Sequence, residues 1–506
     1  MAERTDAGQF TRRRLLQGAG GAAVVAALGG GVVGASRIWP GRPRKSALGL
    51  AARYPPQPVR SFHSRPDLRP ASVAISGRSG GPGYLLLGPG SKSGSQSGPL
   101  IVDDLGEPVW FKPLPAPLWE SNFTTNLYRG EPVLSWWQGE VILPAGYGKG
   151  EGVIVDRSYR ELRHVGAANG RQMDVHEFRL TAEGTAIFSC FPRTVLMDLS
   201  EIGGPRAGRV LESIIQEIDL RSGRLLLEWR SLDHIPISDS YRPLEEPYDY
   251  LHLNSIDIAP DGDLLVSARH TWTLYKLDRH TGEVIWRLGG KRSDFAHGSG
   301  TRFSWQHDAR YIARDTITVF DNGSDGPTKT ESQSRALVLD VHTVGWTARV
   351  TAAYRHPSPL VTVAMGSVQP LPNGNVLVGW GSQPHISEFT ADGSAVSEAV
   401  LASGQQSYRA FRLPWKGSPT DVPAIAVHPD ETTGNPTIYA SWNGATDITH
   451  WQVHAGPDRN SLQPIQITAR TGFETAITLG AQATYVAVTA LDSTARRLAS
   501  SRPLQT

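Results

Sequence analysis

The chain has 506 residues, with 50 Lys plus Arg against 48 Asp plus Glu and a formal net charge of +2. That balance leaves no electrostatic footprint for a nucleic-acid partner. Hydrophobic residues at 39% and charged residues at 19% fit a globular chain large enough for more than one domain, and 53 Gly, 36 Pro and 14 Trp favour short strands joined by turns over long helices.

Residues 1–35 read as a twin-arginine export signal. "TRRRLLQGAGGAAVVAALGGGVVGA" places Arg12, Arg13 and Arg14 before Leu15, Leu16 and a mildly apolar Gly/Ala/Val run, with small residues at its end for cleavage. The expected location is secreted, periplasmic or cell-surface, with the twin-arginine translocation machinery as the partner in export. The single Cys190 allows no internal disulfide, so such a fold would stand on core packing. Residues 36–69 are rich in Pro and Arg and read as an extended linker or a strap over the surface.

From 70 to 418 a two-part unit recurs. One part is a turn followed by a buried strand, as in "AEGTAIFS", "PDGDLLVS" and "PNGNVLVG". The other is a strand, a polar turn and a strand that often ends in Trp, as in "EIDLRSGRLLLEW" and "KLDRHTGEVIWRLGG". No helical periodicity is sustained. Repeated units of about four strands bury their faces by closing into a ring, and the repeat length predicts an all-β chain with a β-propeller of roughly six blades, five or seven also fitting the count. Residues 420–506 alternate apolar and polar positions, with a Trp-bearing early strand and a Tyr-bearing late one. This predicts a C-terminal β-sandwich of fibronectin-type, immunoglobulin-like form.

The inner strands of a propeller converge on a central channel, so similar residues at similar offsets from the turns are the ones to compare. "DVHEF" places His176, "YLHLNS" His252 and "SWQHDAR" His307 at nearly the same place before their turns, and Arg269 follows the turn of the middle unit. Zinc suits three imidazoles. Arg269 would repel it, however, and no carboxylate is evident beside each His as an orienter, Asp308 being the nearest candidate. A guanidinium among imidazoles instead suits a sulfate or phosphate oxyanion, with no metal. Asn254 is a further polar candidate on the same hairpin. Strand alternation turns His270 away from Arg269, toward packing between blades. Trp136, Trp137 and Trp380 read as wedges between blades, and "TGEVIW" as a turn on which a tryptophan docks. "GYGKGEG" opens no helix and reads as no phosphate loop.

Together, "HLNSID", "DGDLLVSARHTW", "TGEVIWRLGG" and "FSWQHDAR" resemble the bacterial arylsulfate sulfotransferase (arylsulfotransferase, ASST) family, closest to its second branch, over about 80–415. The resemblance implies a six-bladed propeller. It also implies transfer of a sulfuryl group from a phenol sulfate to a phenolic acceptor through a sulfated histidine, without nucleotide donor or other cofactor. On that resemblance His307 matches the nucleophile and His176 a second catalytic histidine, while His252 and Arg269 match sulfate-binding residues, with Asn254 beside them. The alternative is a non-catalytic propeller that binds an anionic or glycan ligand.

Overall fold

The computed structural model describes residues 57–90 and 94–506. The export signal and the first part of the 36–69 segment lie outside the described residues. Among the described residues the chain is all-β, with helical turns only at Ser200–Ile202, Ser231–Asp233 and Ile237–Asp239.

Between Val73 and Leu413 the strands form groups built on four antiparallel strands, and two groups carry a fifth edge strand, Val73–Gly77 in one and the parallel Ala296–His297 in the other. The first contains Tyr84–Pro89, Leu100–Val102 and Pro108–Phe111, and its fourth member is Ser407–Leu413, which arrives from the far end of the sequence and pairs Phe411 with Leu86. The next two groups start at Trp119–Tyr128 and Met173–Leu180 and are joined in one ladder by the pairing Gly150↔Met173. The groups that follow start at Leu253–Ile258, His307–Ala313 and Ser367–Pro370. The first strands contact one another in succession, and Ser407–Leu413 contacts both Ser367–Pro370 and Trp119–Tyr128. The result is a propeller-like arrangement with no free inner edge.

Tryptophan fills the space between sheets. Trp136, Trp137 and Trp380 are fully buried, which leaves their faces inaccessible to an incoming aromatic ring. Trp229, at the end of "LLLEW", donates its indole N–H to the Gly282 carbonyl at 3.0 Å, so the "TGEVIW" turn of the next sheet receives it. Gly282 has φ of 78°, a conformation that L side chains rarely adopt. Trp286, Leu288, Phe295 and Phe303 pack with Ile317, Leu337 and Leu339 in the adjoining core. Burying one such side chain stabilises the fold by roughly 1.5–3 kcal/mol.

Two further sheets follow. Ala424–Pro429, Pro436–Ser441 and Glu474–Thr478 form one. Gln463–Ala469, His450–Gly456, Tyr485–Leu491 and Arg497–Ser500 form the other. They enclose a shared core of Ile438, Trp451, Val453, Ile477, Val486 and Val488. Residues 57–69 lie against both parts of the molecule. Arg60 makes a two-pronged ion pair with Glu107, Phe62 packs on Phe473 at 4.3 Å, and Glu474 accepts the Ser64 backbone N–H at 2.7 Å.

Candidate functional site

The inner strands bring His176, His252 and His307 to one end of the ring, where their ladders are irregular. Pairing shifts register between Leu253 and Ser255 and between His307 and Arg310. His252 has φ of 53°, and Trp305 and Asp308, which bracket His307, have φ of 54° and 53°. Each non-glycine residue held there costs of order 1–3 kcal/mol, and bulges of this kind re-aim side chains at functional sites.

The hydrogen bonds fix which nitrogen of each ring faces the centre. His307 Nδ1 lies 3.0 Å from the Trp305 carbonyl and 2.7 Å from Asn322 Oδ1. Asn322 cannot offer its nitrogen there, because Nδ2 donates to the carbonyls of Thr362 and Met365 at 3.1 and 3.0 Å. Both neighbours of His307 Nδ1 are therefore acceptors. Nδ1 carries the hydrogen and Nε2 keeps its lone pair. His252 donates from Nδ1 to Asp249 Oδ2 at 2.7 Å, and His176 from Nδ1 to Asp174 Oδ2 at 2.5 Å. His176 Nε2 is buried with no hydrogen-bond partner. Each of the three rings thus turns Nδ1 to a fixed acceptor and presents Nε2.

The orienting carboxylates are Asp174 for His176 and Asp249 for His252, which corrects the expectation of no accompanying carboxylate for those two, whereas His307 has the Asn322 amide and a backbone carbonyl in that place. Asp308, named as the nearest candidate, instead accepts from Arg310 Nε at 2.8 Å and forms an ion pair with Arg409 at 3.1 Å. His270 also departs from its reading. It sits in the cluster, accepting at Nε2 from Arg269 Nη1 at 2.8 Å and donating from Nδ1 to the Asp249 carbonyl at 2.6 Å. That tautomer leaves His270 no lone pair for a cation beside Asp249. The His176 and His252 rings are 4.8 Å apart, as are those of His252 and His270. Tyr147 closes one side, donating to Asp249 Oδ1 at 2.8 Å, and Tyr408 packs edge-on to both His176 and His307.

Arg269 is held by the Val363 carbonyl at 2.8 Å and lies over the Trp305 ring at 5.2 Å, while its Nε is buried without a partner. Asn254 is fully buried and donates from Nδ2 to the Gln306 carbonyl at 2.7 Å, and its Oδ1 has no hydrogen-bond partner.

Burial, with the Arg269 charge next, pushes the His307 imidazole well below its usual range, and the Asn322 hydrogen bond offsets this in part. Burial does the same to His270, and lowers His252 against the pull of Asp249. Burial lowers Arg269 to about 10, still charged at neutral pH. Arg269 is therefore a permanent cation beside His252, His270 and His307, three imidazoles whose charged forms burial disfavours.

Burial of the neutral His307 and His270 rings makes the fold's stability depend on pH. In the unfolded chain both titrate near 6.5, and in the folded chain both stay neutral to lower pH. Stability is thus full above about pH 6.5 and falls below it, by about 1.4 kcal/mol per pH unit for each group. Urea unfolding between pH 7.5 and 5.5 is expected to show this decline, with a smaller slope in His270→Asn. An equal slope in the variant would rule out His270 as a source.

A family model described as Arylsulfotransferase (ASST) matches residues 125–402, more than half of the chain, and that span holds His176, His252, Arg269 and His307. No curated protein matches the chain. Among solved structures, a protein of unknown function from Bacteroides caccae is 16% identical over 66% of this chain and all of its own, with a TM-score of 0.40. A catalytically inactive virginiamycin B lyase from Staphylococcus aureus is 9% identical over 74% of this chain and 97% of its own, with a TM-score of 0.33. On the family match, the chain belongs to the arylsulfotransferase (ASST) family.

Proposed function

We propose that this arylsulfotransferase moves a sulfuryl group from a phenol sulfate to a phenolic acceptor through a sulfated His307. The reading takes the sheets over 70–418 as six blades of a closed propeller and those over 420–506 as a fibronectin-type sandwich. It takes the protein as exported through the twin-arginine pathway, on the Arg12-Arg13-Arg14 motif ahead of its apolar run. The observation that carries the chemistry is the His307 tautomer: Nδ1–H is committed to Trp305 and Asn322, which leaves a neutral Nε2 lone pair in the cluster.

A sulfate monoester is an anion, so a neutral nucleophile approaches it without charge repulsion. Arg269 holds the non-bridging oxygens, and His252 joins it where the bound anion brings a proton to its Nε2, with Nδ1 kept on Asp249. The His307 Nε2 lone pair forms the S–N bond as the S–O bond to the aryl group breaks, its electrons leaving on the phenolate oxygen. A proton on His176 Nε2, with Nδ1 held by Asp174, passes to that oxygen. The acceptor phenol then returns a proton to His176 while its oxygen attacks sulfur and releases His307. Two half-reactions sharing one site give ping-pong kinetics. In the test, intact mass is measured after exposure to a chromogenic aryl sulfate without acceptor. The gain of one sulfuryl group supports the reading, and unmodified protein with no product in the presence of acceptor defeats it.

Asn322 is the positioning residue for the nucleophile. In Asn322→Asp a carboxylate would face His307 Nδ1–H and favour the protonated ring. The pKa of His307 rises, and the acid limb of kcat/KM moves to higher pH. A profile that only scales down, with its limb unmoved, would limit Asn322 to a packing role.

A further inference from the structure

We propose that His356, His385 and Glu398 form a site for one divalent transition-metal ion of the zinc class, set apart from the histidine cluster at the inner strands. His356 lies in the segment between Thr347–Tyr354 and Ser367–Pro370, so it leaves one sheet and approaches the next. His385 and Glu398 stand on the neighbouring strands His385–Phe389 and Ala395–Leu401 of that next sheet. The three donor atoms all lie within 4.8 Å of one another, and His356 and Glu398 are buried.

Hydrogen bonding makes the convergence unusual. The Ser358 backbone N–H donates to His356 Nδ1 at 3.1 Å, and the Ser358 carbonyl lies 2.7 Å from the same nitrogen. His356 Nε2 is 2.6 Å from Glu398 Oε1, and His385 Nδ1 is 2.9 Å from the same oxygen. Two imidazole nitrogens thus meet at one carboxylate oxygen, and a divalent ion would bind there by displacing the protons that now bridge them, with the Ser358 carbonyl free to accept the His356 Nδ1–H.

A backbone carbonyl holding the far nitrogen is the support a metal-bound imidazole needs. Trp380 packs edge-on to the His356 ring at 5.5 Å and limits its rotation. Two imidazoles and one carboxylate are borderline donors that suit zinc, cobalt or nickel better than magnesium or calcium. Zinc bonds of about 2.0–2.2 Å would spread these donors slightly, a shift that small side-chain rotations supply. The physical gain is a clip. The chain has one cysteine and no disulfide, and an ion here would tie the end of one sheet to two strands of the next.

In the test, the full chain is freed of metal with chelator, dialysed and titrated with Co(II), then with Zn(II). One equivalent of Co(II) with intense visible ligand-field absorption is expected, displaced by Zn(II), which also raises the unfolding temperature. His385→Gln and Glu398→Gln should each weaken Co(II) binding by roughly 100-fold or more, whereas His252→Gln should retain it. The proposal is overturned if wild-type protein takes up no stoichiometric Co(II) or Zn(II), a result that needs no variant to fold. It is equally overturned if binding survives both site variants, or disappears in His252→Gln instead.

Discussion

His307→Ala is expected to abolish sulfuryl transfer while leaving the fold in place. The pairing of this residue with Phe320 in the ladder is made by backbone, so truncating the ring keeps the strand. The variant frees the Asn322 Oδ1 acceptor, at a cost of about 1–3 kcal/mol. Chemically the loss is far larger, because in the proposed mechanism the attacking electron pair is that of His307. Turnover should fall by roughly 10⁴-fold or more, and aryl sulfate should add no mass to the protein. His176→Ala should behave differently. Its proton is needed in proportion to the basicity of the departing phenolate. The variant should lose most activity with the sulfate of unsubstituted phenol and much less with a nitrophenyl sulfate. Sulfuryl mass retained in His307→Ala would place the nucleophile elsewhere in the cluster. An equal loss of activity of His176→Ala on both donors would remove His176 from the proton-transfer role.

What the sequence revealed about this site, and what it hid, divides by distance along the chain. The turn–strand units and the tryptophans closing them are local patterns, so the all-β class could be read directly. His176, His252 and His307 stood out because repeated units place their inner strands alike. Their partners were harder to see. Tyr147 reaches Asp249 across 102 residues, and Arg269 reaches the Val363 carbonyl across 94. No local pattern encodes either contact. Asp174 was missed although a local signal existed, since a residue two positions before His176 shares its strand face. His270 misled for a definite reason: alternation was carried past the end of Leu264–Ala268, so Arg269 and His270 lie beyond the strand and both turn to the cluster.

Arg310→Met is expected to destabilise the protein by about 3–5 kcal/mol, more than the loss of any exposed ion pair. Arg310 donates to Glu177 and Asp308 at 2.8 Å each, and to the Ile256 carbonyl at 2.6 Å. Arg409, on the strand that returns to close the ring, shares the same two carboxylates at 3.6 and 3.1 Å. The network therefore joins Met173–Leu180, Leu253–Ile258, His307–Ala313 and Ser407–Leu413, with every charged member buried. Removing one guanidinium leaves two buried carboxylates to share Arg409, and water cannot reach them to compensate. Arg209→Met, which breaks an ion pair with Glu246 at the surface, provides the contrast and should cost about 0–1 kcal/mol. Denaturant unfolding of both variants at pH 7 makes the comparison. Adding Glu177→Gln to Arg310→Met should recover part of the loss, because it removes a stranded charge. If Arg310→Met falls within 1 kcal/mol of Arg209→Met, ring closure owes little to these charges and rests on the apolar faces between sheets. If the larger cost appears, the same ions fix the backbone on which His307 stands, since Asp308 Oδ2 also accepts the Val368 N–H of the next inner strand at 3.1 Å. Stability and nucleophile placement then depend on one buried network.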